Sequence, residues 1–170
     1  MKVFIKNKAV SLGGSSTVLN ENQEEVFTVK GKLFTFTRKK RMYDKEGKLL
    51  YTIRNKYWSF FSHRALVFDS EGERVATIKK NRGSLNLEYE ILDTEDEMSI
   101  SGKFFSGKSS IMKNGEEVAT ITREFALFKE AFSLEADEKD IAFYTALVIA
   151  FDNLNDERDK DEKKFFLDRD

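Results

Sequence analysis

Residues Ile141 to Phe151 read IAFYTALVIAF, eleven positions without a charge and the only long apolar run in the chain. Wound into a helix, the run is apolar around its whole circumference, and such a helix has to be enclosed on every side. What precedes it is a succession of short strand patterns, so the enclosure must be sheet. The expected fold is mainly β: a closed antiparallel barrel of about twelve strands, which leaves no exposed edge, around one hydrophobic C-terminal helix. Eleven helical residues cover only about 16 Å against about 30 Å of bilayer hydrocarbon, so no transmembrane span is expected.

Period-two alternation marks strands that bury one face. Leu85, Leu87, Tyr89 and Ile91 interleave with Asn86, Glu88 and Glu90; Phe34 and Phe36 alternate with Thr35 and Thr37; Phe132 and Leu134 alternate with Ser133 and Glu135. Turn signals recur at Gly13-Gly14, Gly31, Glu46-Gly47, Glu71-Gly72, Gly83, Gly107 and Asn114-Gly115. One unit repeats. MYDKEGKLLYTI (Met42 to Ile53) returns as VFDSEGERVATI (Val67 to Ile78) and, shortened, as KNGEEVATI (Lys113 to Ile121). Each copy places an apolar residue three positions after its turn glycine, Thr five after and Ile six after, as a reused hairpin requires.

A chain of 170 residues fits one domain with its own core. Residues 1–154 are expected to form the barrel and its helix, and residues 155–170 a charged C-terminal tail in which Phe165, Phe166 and Leu167 could dock or fray. Asp137 is placed to cap the helix, with Asp140 three positions on. The chain contains neither Cys nor Pro, and no secretion leader is apparent at Met1, so a cytoplasmic setting is expected.

Charge is unevenly distributed. Residues 1–85 carry 18 Lys and Arg against 8 Asp and Glu, and residues 86–170 carry 11 against 22. Such a dipole suits an anionic partner, unless the two blocks neutralise each other across the sheet. The densest basic segment, Lys30 to Arg41, has six cations and no acid and ends in Arg38-Lys39-Lys40-Arg41. These four residues, with Lys79, Lys80 and Arg82, are the predicted anion- or lipid-binding set. The alternative role for them is that of a charged strand-edge guard.

Other motifs carry less. Gly102 to Ser109 (GKFFSGKS) matches the phosphate-loop pattern, but that chemistry needs a helix after the loop, and only Ser110 to Lys113 precede the Asn114-Gly115 turn. His63 is the only histidine and follows no nucleophile elbow. Asp93, Glu95, Asp96 and Glu97 make an acidic turn without the Gly and distal Glu of a calcium loop. No catalytic, cofactor or metal site is predicted.

The Asp-x-x-Gly hairpins, the Val118 to Ile121 strand, Phe132-Ser133-Leu134-Glu135, Asp140 and the run ending IAFYTALVIAFDN resemble the LURP-one-related family over roughly Val3 to Asn153. That family is grouped with tubby C-terminal-like proteins and phospholipid scramblases. The resemblance implies a twelve-stranded barrel threaded by its helix, and it links the group to phosphoinositides, membranes and, in plants, defence. It carries no ligand residue over by position. The function expected is therefore a non-enzymatic binding module engaging anionic phospholipid head groups, peripherally at a membrane. The alternative is a structural or protein-interaction domain using a sheet edge or the tail. With pI about 6.0 and no recognised module, nucleic acid is disfavoured.

Overall fold

The computed structural model describes residues 1–7, 15–31, 37–56, 64–80, 89–103, 107–126 and 129–167, with side chains left out at Asn7, Lys103, 124–126, 129–131 and 155–167. The sequence expectations for Gly13-Gly14, Phe34 to Phe36, His63, Arg82, Gly83, Leu85 to Glu88 and Phe104 to Ser106 fall outside these residues.

Twelve strands are present among the described residues: β1 Lys2–Asn7, β2 Ser16–Asn20, β3 Glu25–Gly31, β4 Lys40–Asp44, β5 Leu49–Asn55, β6 Arg64–Phe68, β7 Arg74–Lys80, β8 Tyr89–Leu92, β9 Met98–Lys103, β10 Lys108–Lys113, β11 Glu116–Ala126 and β12 Lys129–Ala136. Each pairs antiparallel with its sequence neighbours, and β12 closes on β1, with Val3 opposite Leu134 and Ile5 opposite Phe132. The expected closed barrel is thus present, and it has no free edge.

Alternation sorts the side chains. Val3 and Ile5, Phe27 and Val29, Ile53, Val67, Ile78, Ile91, Ile100, Ile111, Ile121 and Leu134 are all buried at inward positions. Inside them runs α1, Ile141–Leu167. Every residue from Tyr144 to Leu154 is buried, including Ala146, Leu147 and Ala150 at 0% exposure, so the helix is enclosed all round. Phe151 meets the ring of Tyr89 edge-on, with centroids 4.7 Å apart. No helix among the described residues is long and apolar enough to cross a membrane. The helix starts one turn later than Asp137 capping implies. Tyr144 N donates to Asp140 O, so Asp140 stands at the cap and Asp137 lies in the turn before it.

The repeated hairpins build one end of the barrel. Asp44 and Asp69 each accept a backbone N–H four residues on, Lys48 and Glu73, and Gly47 and Gly72 take φ of 82° and 92°. The third copy turns more tightly, with Asn114 and Gly115 both at positive φ. A fourth copy joins β2 to β3. Asn20 Oδ1 accepts from Asn22 N and Glu24 N, just as Asp69 Oδ1 accepts from Glu71 N and Glu73 N, and Gln23 at φ 65° occupies the glycine place. All four hairpins carry a register shift beside the turn. These turns and the start of α1 lie at one end of the barrel, the turn end. The helix leaves through the other, the exit end.

Candidate functional site

Charge divides by end, and not simply by half of the chain. The turn end carries Glu21, Asp44, Glu46, Glu71, Asp96 and Asp137, whereas strands begin or finish at the exit end on Lys6, Lys40, Lys80, Lys103 and Lys108. The predicted basic set lies in this second region, but strand alternation splits it. Lys40 and Met42 face inward on β4, Arg41 and Tyr43 outward.

Lys40 therefore leaves the expected surface patch. Its ammonium sits 3.9 Å from the Asp152 carboxylate of α1, with the two side chains 8% and 12% exposed. Around this ion pair the helix grips the strand ends. Asn153 Nδ2 donates to Arg38 O (3.2 Å), and Asn153 O accepts from the Arg38 guanidinium and from Asn55 Nδ2, each at 3.4 Å. Asn55 N in turn donates to Thr37 O at 2.7 Å. The network holds Arg38 at φ 48°, in the left-handed region, immediately before β4. Arg38 and Lys39 are half-buried there.

Outside, the register joins the two predicted clusters. Lys30 lies directly opposite Arg41, and Arg64 directly opposite Lys79. Between them Arg41 faces Thr52, two positions before Arg54 on the same face; Arg54 faces Leu66, two positions after Arg64. The result is a diagonal basic stripe, Lys30, Arg41, Arg54, Arg64, Lys79, across β3 to β7. Sequence analysis missed Arg54 and Arg64, whose only signal is alternate placement on strands of then unknown register. Arg54 lies over the Phe68 ring at 5.0 Å and Lys30 over Tyr43 at 5.2 Å, so neighbouring rings steady both cations. Arg64 Nε is buried and makes no hydrogen bond among the described residues. The stripe ends where Lys79 meets Glu90 at 3.7 Å, and Lys80 beyond it is exposed. Like charges placed opposite each other repel, and an anion laid across them would relieve this.

The remaining motifs resolve into structure. Gly102 belongs to β9, while Lys108 and Ser109 open β10, opposite Lys103 and Gly102. A strand follows the motif where a phosphate loop needs a helix. In the acidic turn, Asp93 takes Arg74 at 3.0 Å and the Thr77 hydroxyl at 2.6 Å, and Asp96 takes Lys113 at 2.7 Å and Asn114 at 2.8 Å. Hydrogen bonds from Lys113 and Asn114 hold the Asp96 carboxyl below its usual range.

A model of LURP-one-related proteins matches residues 1–152. The chain belongs to the LURP-one-related family. An X-ray structure of a protein from Arabidopsis thaliana superposes on this LURP-one-related chain with a TM-score of 0.64 and 19% identity, covering 91% of each, a likeness that shows the fold alone. No curated protein matches. The family match ends on Asp152, the residue that secures Lys40, so the LURP-one-related unit closes at the polar network; α1 continues to Leu167 beyond it.

Proposed function

We propose that this LURP-one-related chain is a non-enzymatic binding module whose exit end and basic stripe engage anionic phospholipid head groups at a membrane surface, in the cytoplasm. The observation that carries the reading is the unbroken run of cations from Lys30 to Lys79, with no acid on the outer face of β3 to β7 between them among the described residues. The helix and inward side chains occupy the barrel interior. Contact with lipid is accordingly superficial and sensitive to salt. The grouping of the family with tubby-like and scramblase proteins fits the same chemistry.

Each cation near an anionic surface contributes about 1 kcal/mol, so Arg54→Gln with Arg64→Gln should weaken binding roughly 30-fold. Sedimentation with vesicles of neutral lipid alone, and with a fifth of acidic lipid added, tests this. Equal partition into both vesicle types, or an unaffected double variant, would refute it. Closure of β1 on β12 removes the sheet-edge route of the alternative protein-binding role. The tail route keeps one support, the continuation of α1 past its enclosed part. Truncation after Leu154 that abolished partner capture and left vesicle binding intact would favour it.

A further inference from the structure

A cavity of about 390 Å³ opens at the turn end, away from the basic stripe. Its apolar wall is made by Val75, Met98, Phe143 and the Tyr144 ring, and its rim includes Asp93, Glu95, Asp96 and Asp140. Two of the rim carboxylates are committed, Asp93 to Arg74 and Asp96 to Lys113, which also fully occupies the two cations that line the pocket. Glu95 and Asp140 have no ion-pair partner among the described residues. The cavity therefore keeps two uncompensated negative charges.

Tyr144 adds an independent sign of a missing ligand. Its side chain lies 4% exposed against the cavity, yet its hydroxyl meets no hydrogen-bond partner, whereas the neighbouring Thr145 hydroxyl donates to Ile141 O at 2.7 Å. A buried hydroxyl without a partner is costly, and a ligand that fills the cavity would supply one. Burial, then the nearby Asp140 carboxylate, pushes the Tyr144 phenol above its ordinary value, so the potential at that oxygen is negative. No group of three acidic or histidine side chains among the described residues is arranged to hold a metal ion. The cation that suits the site is one that spreads its contacts and carries an apolar stem.

We propose that this cavity is a binding site for an aliphatic ammonium group. The three N–H donors reach the Tyr144 oxygen and the Asp140 and Glu95 carboxylates, and the methylene stem lies on Met98, Val75 and Phe143. The Phe143 and Tyr144 rings, 5.9 Å apart, offer their faces to the charge. A free diamine and a lysine side chain share this chemistry.

The test is amide NMR of the full chain titrated with 1,4-diaminobutane, and separately with N-acetyl-lysine methylamide. Butane-1,4-diol and sodium chloride at matched ionic strength serve as controls. Saturable shifts confined to residues 93–98 and 140–144 are expected. Saturation by the diamine alone assigns a free amine, and saturation by the lysine analogue alone a protein side chain. Asp140→Asn and Glu95→Gln should each weaken binding about fivefold, the effect of one charge-assisted contact discounted for solvent. Glu95 is exposed, so its variant tests the site without endangering the fold. Shifts reproduced by sodium chloride, shifts that fail to saturate with either amine, or undiminished affinity in the Glu95→Gln variant would overturn the assignment.

Discussion

Replacing Phe151 by Ala tests the enclosed helix most directly. The ring is 1% exposed, lies within the barrel, and meets Tyr89 edge-on at 4.7 Å and 86°. Removing a buried Phe side chain costs about 3–5 kcal/mol, the larger figure applying where neighbours cannot collapse into the void. Collapse is restricted here because β8 is hydrogen-bonded on both sides, to β7 and β9. A loss of about 4 kcal/mol is therefore expected, of which the aromatic pair accounts for roughly 0.5–1.5 kcal/mol. Equilibrium urea unfolding should show it with an unchanged slope, and the thermal midpoint should fall by about 8–16 °C for a chain of this size. Pairing the change with Tyr89→Leu isolates the ring contact in a double-mutant cycle. A loss below about 1.5 kcal/mol, the cost of a smaller or half-exposed group, would mean that the helix is not held on all sides as described.

Three further outcomes follow from the same coordinates. Gln23→Gly should raise stability by about 0.5–1 kcal/mol, because relief of the left-handed conformation outweighs the added freedom of the unfolded chain and one exposed Lys6 contact; a lower urea midpoint would contradict this. Asp152→Leu should cost about 3–5 kcal/mol by stranding the Lys40 ammonium, and adding Lys40→Met should restore much of the loss; a double variant no better than the single one would remove the ion pair from the account. Because the Tyr144 pKa is raised in the fold, its contribution is complete below the unfolded value of about 10 and declines as pH rises through the folded one; Tyr144→Phe should flatten stability above pH 10, and an unchanged alkaline slope would count against it.

The barrel and its plug were legible because both rest on patterns local in sequence. Alternation is visible within one strand, and a charge-free run of eleven residues has one physical solution in a chain of short strands. The hairpin repeat was legible where glycine marked it. Its fourth copy escaped because Gln23 occupies the left-handed position, and only the Asn20 turn bonds reveal the equivalence. The basic stripe needed register, since Arg54 and Arg64 sit far from either predicted cluster along the chain. Alternation also argued against treating Arg38 to Arg41 as one surface, for Lys40 shares the inward face of Met42. Asp152 and Asn153 stood out as part of a family resemblance, but their task, holding Lys40 and the Arg38 peptide, became apparent only from the contacts.

The chain order of this barrel has a consequence for its birth on the ribosome. The plug is the last element translated, and the seam joins β1 to β12 across more than a hundred residues, so the twelve staves emerge before the part that gives them a core. Every inward Ile, Val and Leu waits for that final segment, and contacts so distant in sequence form slowly. A stalled or truncated nascent chain lacking residues after Asp140 would expose the interior faces of a cylinder with nothing to close upon, making it a client for chaperones rather than a folded intermediate.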